Sequence, residues 1–133
     1  MSGSPAYDIA QRLDALGIGI FGATIGGWTI AVSREPVSPV SAITVYDTGG
    51  GPVDTDDQDM ESPTIQVRTR SLDYLAGYAK QEEIRAALIL AGFDVSGKRY
   101  YSAAATSGIL AIGRDDADRF LLTQNFQLLS EAT

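Results

Sequence analysis

The chain has 133 residues, of which 44% are hydrophobic, and its formal net charge is −7; this predicts one soluble, unexported domain spanning residues 1–133. Its apolar stretches are too short and too interrupted for a membrane span or an export signal, so no membrane partner is expected. The absence of cysteine and histidine excludes disulfides, thiolate nucleophiles, imidazole bases and the usual zinc sites, and the scattered basic residues disfavour specific nucleic-acid binding.

The N-terminal segment is predicted to form a helix that begins after Ser4 and stops at Gly17. Ser4 is a good N-cap, because its hydroxyl oxygen can accept a hydrogen bond from a backbone N–H of the first turn. Pro5 suits the first helical position, because the N–H that proline lacks has no helical partner there. Apolar residues recur at spacings of four and three, at Ile9, Leu13 and Leu16. This spacing places them on one face of the helix, which we expect to be buried.

Two strands are predicted to follow. Trp28, Ile30 and Val32 alternate with small or polar residues, which is the period of a half-buried strand. Residues 42–47 are rich in β-branched side chains and predict a second strand. Residues 48–52 contain three glycines and a proline and are expected to end that strand and open a loop.

Residues 53–62 form an acidic segment that is too polar and too uniformly charged to be buried. Its order departs from a calcium-binding loop, because Asp59 stands where the turning glycine belongs and Ile65 where the bidentate glutamate belongs. We therefore expect a solvated loop that becomes ordered on a partner. A carboxylate-based metal-binding domain stays open as an alternative of a different functional class. The acidic residues are Asp54, Asp56, Asp57, Asp59 and Glu61.

A third strand and a long helix are predicted next. Residues 65–70 alternate apolar or small side chains with Gln66, Arg68 and Arg70, so one face is polar and could meet another subunit. Ser71 is expected to cap a helix that reaches Ala91 and is closed by Gly92. The broad apolar stripe of this helix consists of Tyr74, Leu75, Tyr78, Ile84 and Leu88.

The remaining sequence predicts strands over residues 99–105, 108–113 and 119–129, with a turn at residues 114–118. The last strand has the clearest alternation in the chain, with one apolar and one largely polar face. The order of elements predicts an α+β fold, in which an antiparallel or mixed β-sheet carries two main helices packed on one face of a single domain.

Three patterns that could indicate chemistry have simpler structural explanations. The glycines of residues 17–22 have the spacing of a dinucleotide fingerprint, but they follow a helix and enter a strand, which is the reverse of the required context. Asp115, Asp116 and Asp118 could be paired carboxylates for acid–base chemistry, but their arginine neighbours favour a hairpin turn with local ion pairs. The serines have no histidine to activate them. We therefore predict no catalytic, cofactor or metal site, and no enzyme.

The chain resembles the tail terminator or minor capsid proteins of long-tailed bacteriophages. The resemblance lies in residues 43–52, which contain Tyr46, Asp47, Thr48, Gly49 and Gly50, and in residues 63–70 followed by a helix rich in tyrosine and alanine. It continues in residues 112–116 with Arg119, and in residues 124–126. It thus covers most of the chain, from about residue 9 to residue 129.

The resemblance implies an α/β or α+β subunit of a ring, usually a hexamer, that caps the head-proximal end of the tail tube. Its partners would be copies of itself, the tail tube protein and the head–tail connector or stopper protein, and DNA would pass through the ring. The protein would be assembled in the host cytoplasm and located in the virion. Another head–tail connector or a tail tube component is the alternative within virion assembly.

A ring subunit needs two different complementary surfaces, because neighbours meet head to tail. The acidic loop and the polar strand face carry opposite charges in different places, and we expect both to contribute to contacts. The candidate interface residues are Tyr46, Asp47, Thr48, Gly49, Gly50, Asp54, Asp56, Asp57, Asp59, Glu61, Gln66, Arg68, Arg70, Arg114, Asp115, Asp116 and Arg119.

Overall fold

The computed structural model of the protein describes residues 4–22, 27–37, 40–52, 60–89, 92–95 and 97–131. The first helix, α1 (Pro5–Ala15), begins as predicted, because Oγ of Ser4 accepts a hydrogen bond from the backbone N–H of Tyr7. Gly17 follows the helix with a φ of 75°, a left-handed conformation that glycine adopts without steric cost. The predicted helix is therefore confirmed.

The first half of the sheet consists of β1 (Ile20–Phe21), β2 (Thr29–Val32), β3 (Ala42–Pro52) and β4 (Met60–Ser71). The prediction that the glycine run ends the second strand is wrong. β3 continues to Pro52 and pairs with β4 through a register shift between Asp47 and Gly49. Gly49 and Gly50 have φ angles of 106° and 84°, so these glycines provide the backbone conformation that the bulge requires.

The second helix, α2 (Tyr74–Leu88), is shorter than predicted at both ends. Asp73, rather than Ser71, is its N-cap, and it accepts a hydrogen bond from the N–H of Leu75. Ser71 is instead the last residue of β4, where it pairs with Phe120. The helix ends at Leu88, so Gly92 does not close it directly, and residue 91 lies outside the described part of the chain.

The predicted apolar stripe of α2 is also partly wrong, because Tyr74, Leu75 and Tyr78 are exposed. The residues that face the core are Gly77, Gln81, Ile84 and Leu88. A Cβ added at Gly77 would lie only 3.1 Å from the Leu122 side chain, so the glycine lets the helix approach the sheet. The Gln81 amide donates to the carbonyls of Val67 and Leu122, which compensates for its burial.

The C-terminal half contributes β5 (Phe93–Val95), β6 (Lys98–Ala105), β7 (Leu110–Arg114) and β8 (Phe120–Glu131). β6, β7 and β8 match the predicted strands, whereas β5 is a short strand that the sequence pattern does not predict. β8 pairs with β4 along one edge. Its other edge is shared, because β7 pairs with its first residues and β6 with its last ones.

Among the described residues, the strands form one mixed sheet in the order β1-β2-β3-β4-β8-β6-β5, with β7 beside β8. β1, β2 and β3 are parallel to one another, and the other pairings are antiparallel. Side chains of both helices enter one hydrophobic core, which includes Ile9, Leu13, Ile84, Leu88, Val45, Val67 and Phe126. The protein is thus a small domain with two helices and a mixed sheet. No helix in the described ranges is long and apolar enough to cross a membrane.

Candidate interaction surfaces

The two arginines of the predicted polar face bind another part of the same chain. Arg68 forms an ion pair with Glu35, with 2.9 Å between Nη1 and Oε1. The Arg70 side chain is only 3% exposed, and its guanidinium donates to the carbonyls of Val40 and Pro36. Burial, and to a lesser extent the nearby Arg119, lowers the pKa of Arg70. Arg70 therefore anchors the connection between β2 and β3, whereas Arg68 remains partly accessible.

Tyr46 and Gln66, the neighbours of Arg68 on this face, are also partly exposed. The Arg68 guanidinium lies 5.3 Å from the centre of the Tyr46 ring, a distance typical of cation–π contacts. Burial raises the pKa of the Tyr46 hydroxyl, and Glu35 adds to this effect. Gln66 donates to Asn125 on β8 at 3.3 Å. Tyr46, Gln66 and Arg68 thus form a small polar belt across β3 and β4.

Asp47, another predicted interface residue, has a role within the domain. Its Oδ1 accepts a hydrogen bond of 2.8 Å from the N–H of Ala6 in the first turn of α1. A carboxylate at this place satisfies a free N–H and interacts favourably with the helix dipole. Thr48 donates to Thr64 at 2.8 Å, so the middle of β3 is held to both α1 and β4.

Most of the acidic segment lies outside the described residues, namely Asp54, Asp56, Asp57 and Asp59. Glu61 is described and belongs to β4, where its Oε1 lies 3.8 Å from Nζ of Lys98. Within the described ranges, no group of three or more carboxylates is arranged to hold a metal ion.

The acidic turn between β7 and β8 is held by local ion pairs, as the sequence suggested. Arg114 pairs with Asp118 at 2.9 Å and Arg119 with Asp115 at 2.8 Å. Asp115 also accepts the backbone N–H groups of Ala117 and Arg119. The Arg119 N–H is the main reason why the pKa of Asp115 is lowered. Asp116 lies in the same turn and is exposed.

We expect Asp115→Asn to destabilise the protein at neutral pH more than at acidic pH. Because the folded state lowers the pKa of Asp115, its stabilising effect is present above the ordinary aspartate pKa and is lost as the pH falls through the lower folded value. The measurement is the urea midpoint of wild type and variant at pH 7 and at pH 3. A gap between the two proteins that stays constant or widens at pH 3 would contradict the role of Asp115. Asp116→Asn is the matched control and should change the midpoint little at either pH.

The structure also exposes apolar residues that the sequence could not distinguish from core residues. One group lies on the outer flank of α2, where a cavity of about 320 Å³ is lined in part by Tyr78, Ile89 and Ile109. The exposed apolar residues of α2 and its two ends are Leu72, Tyr74, Leu75, Tyr78 and Ile89. Leu110 and Ile112 of β7 are also exposed, but Leu110 pairs with Thr123 and therefore projects from the sheet face opposite Gln124, which contacts α2.

A second apolar group lies at α1 and β1. Tyr7 packs edge to face against Phe21, with 5.4 Å between the ring centres. The exposed apolar residues of this α1–β1 surface are Tyr7, Leu16 and Ile20. Exposed clusters of apolar side chains on two elements are typical of protein interfaces.

Comparisons with known proteins agree with this fold. A solved chain from the "Virion of native gene transfer agent (GTA) particle" superposes with a TM-score of 0.62 at 16% sequence identity, covering 96% of this chain and 95% of that chain. No curated protein matches the chain in sequence. The family model described as "Bacteriophage tail terminator protein" matches residues 12–131. Because this match includes nearly the whole domain, the chain belongs to the bacteriophage tail terminator family and is a structural protein of the phage tail.

Proposed function

We propose that the protein assembles as a ring, with six subunits as the expected number, on the head-proximal end of the tail tube. The ring stops tube elongation and presents a binding surface to the head–tail connector. The observation that carries the proposal is the match of residues 12–131 to the tail terminator family. The mechanism is binding rather than catalysis, and the ion pairs of Asp115 and Asp118 are consistent with this, because they give these carboxylates a structural role.

The arrangement that we propose for the subunit has both helices on one face of the sheet. Val45 pairs with Val67, and Val67 pairs with Gln124, so these three side chains project from the same face of the sheet. Asp47 projects from that face as well, because it is two residues from Val45 in the same strand. Asp47 contacts α1 through Ala6, and Gln124 contacts α2 through Gln81. The polar belt formed by Tyr46, Gln66 and Arg68 is then left on the opposite face.

We assign the polar belt and the acidic segment of residues 54–61 to contacts with the tube or the connector. Charged groups at the rim of an interface contribute mainly to the association rate and to specificity. The positive charge of Arg68 and the negative charges of the acidic segment would thus help to orient the ring on its partners. Asp116 and Arg114 at the tip of the β7–β8 turn are further candidates for the same contacts.

The proposal predicts what happens when the phage assembles without this protein. Tails should form but vary in length and exceed the normal length, and filled heads should remain unjoined. Adding the purified protein during tail growth should restore uniform tails and joined particles. The readout is the length distribution of tails and the fraction of joined particles, both measured by electron microscopy.

Two other outcomes would contradict the proposed function. If no tails form without the protein, it is a tube component. If tails have normal length but remain unjoined, it is a connector without a role in length control.

A further inference from the structure

We infer that Arg68 of the polar belt binds a carboxylate side chain of the protein next to this subunit in the tail, alongside its own contact with Glu35. The inference rests on the proposed function, which assigns the polar belt to contacts with the tube or the connector. It adds the chemistry of the contact, because it pairs one arginine of this chain with an acidic residue of the partner protein.

Three arginines hold the connection between β2 and β3 at three successive residues. The pairs are Arg68 with Glu35, Arg70 with the carbonyl of Pro36, and Arg119 with the carbonyl of Val37. The side chain of Arg70 is 3% exposed and that of Arg119 is 18% exposed, whereas that of Arg68 is 28% exposed. Arg68 is therefore the member of this group that a partner reaches most easily.

The group has one positive charge in excess. Glu35 lies 2.9 Å from Arg68 and 3.8 Å from Arg70, and Asp115 pairs with Arg119 at 2.8 Å. Three positive and two negative side chains leave one positive charge here, although the formal net charge of the whole chain is −7. Burial, followed by the like charge of Arg119, also lowers the pKa of Arg70. A further carboxylate beside Arg68 is therefore electrostatically favourable.

The guanidinium of Arg68 also has hydrogen-bond donors to spare. Its Nη1 donates to Glu35 at 2.9 Å, whereas its Nε is buried and has no acceptor among the described residues. A buried donor without an acceptor is costly. Arginine carries about five N–H donors in a planar fork that matches a carboxylate, so one contact with Glu35 leaves most of them for a second acceptor.

The surroundings of Arg68 fit a protein carboxylate better than a nucleic-acid phosphate. A phosphate backbone is bound by several cations along its length, but the other two arginines of the group are occupied with the β2–β3 connection. Tyr46, whose ring centre lies 5.3 Å from the Arg68 guanidinium, and Gln66 are neutral and partly exposed. Neutral polar groups around one arginine are typical of a protein interface.

The inference can be tested by adding purified variants to growing tails that lack the protein. Arg68→Gln removes the proposed contact, whereas Glu35→Gln removes the partner within the chain and keeps the arginine. Arg99→Gln is the matched control, because Arg99 is partly exposed and pairs with Asp94 at 3.5 Å, away from the polar belt on β6 and β5. All these side chains are partly exposed, so the variants should fold, which thermal unfolding would check. The readouts are the concentrations of each variant that give half-maximal length control and half-maximal head joining.

We expect Arg68→Gln to raise one of these concentrations about tenfold or more, because a charge-assisted contact with the partner is lost. The affected step identifies the partner, since length control depends on the tube and joining depends on the connector. Glu35→Gln should act at the wild-type concentration or below it, because Arg68 is then fully available. Arg99→Gln should stay within about twofold of the wild type, as expected for an exposed ion pair.

Three results would overturn the inference. In the first, Arg68→Gln acts at the wild-type concentration in both steps. In the second, Glu35→Gln is as defective as Arg68→Gln, which would mean that Arg68 acts only by holding the β2–β3 connection. In the third, the defect of Arg68→Gln in length control disappears after nuclease treatment, which would identify a nucleic acid as the partner. In each case the proposed function stands if the wild type restores tail length, and it fails if the wild type restores neither length nor joining.

Discussion

We expect Gly50→Ala to destabilise the protein by about 2 to 5 kcal/mol, which is a large fraction of the stability of a small domain. A Cβ at this position would overlap the Ser62 carbonyl oxygen and would lie 2.6 Å from Cα of Pro63. Both are backbone atoms of β4, so the strands must separate to admit the methyl group. Steric overpacking costs about 1–3 kcal/mol, and the left-handed backbone at Gly50 adds about 1–2 kcal/mol for a residue with a side chain.

The measurement is the free energy of unfolding from urea titration, with Gly49→Ala as the matched control. Gly49 also has a positive φ, but a Cβ there would meet no atom within 4 Å. The control should therefore show only the backbone strain, about 1–2 kcal/mol. Equal losses of stability in the two variants would mean that the close contact between β3 and β4 at Gly50 is absent in solution.

The second large effect is expected for Tyr100→Phe, which should lower the free energy of unfolding by about 1.5 to 3 kcal/mol at neutral pH. The Tyr100 hydroxyl donates to Oδ2 of Asp8 at 2.6 Å, and both residues are fully buried. Hydrogen bonds to charged groups are stronger than neutral ones, and a buried acceptor that loses its donor is costly. Tyr101→Phe is the matched control, because Tyr101 is 46% exposed and its hydroxyl should contribute little.

The pH dependence of this pair gives a separate test. Burial, followed by the hydrogen bond to Asp8, raises the pKa of Tyr100 well above its ordinary value of about 10. A raised folded pKa means that the stabilisation is complete below pH 10 and decreases as the pH rises above it, because only the unfolded tyrosine loses its proton. The stability gap between wild type and Tyr100→Phe should therefore shrink between pH 9 and pH 11. A gap that grows over this range would contradict the assignment.

Period-two alternation predicted the strands well because it reports directly on which face of a sheet a side chain occupies. The glycine run of β3 is not recognisable as a strand from its own sequence, because its strand structure depends on pairing with residues 61–64, on the other side of the acidic segment. Glycine there does not break the strand. It provides the positive φ angles of Gly49 and Gly50 that allow the bulge.

The face of α2 that packs on the sheet was harder to predict, because a polar residue and a glycine are central to it. Gln81 is buried because its amide reaches two strand carbonyls, and those partners cannot be inferred from the helix sequence alone. Gly77 is buried because it allows close approach to Leu122. Local periodicity assigns the core to Tyr74 and Leu75 instead, although both are exposed.

In the candidate interaction surfaces, too, local pattern predicted the faces of the strands but not the tertiary contacts. Alternation in β4 correctly placed Arg68 and Arg70 opposite the core, but it could not indicate that Glu35 and Pro36 cover them. Likewise, the same apolar residue types occur in interfaces and in the core, so the residue type alone does not distinguish the two. Leu75 and Ile112 became interface candidates only when their exposure was known.

The most direct test of the proposed cap is the position of the protein in the phage particle. Because the chain contains no cysteine, Val37→Cys would provide a single, highly exposed site for a maleimide-linked gold particle. Electron microscopy of labelled particles should show gold only at the junction of head and tail, and at one end of free tails. Gold along the length of the tail would contradict the account and would identify the protein as a component of the tube.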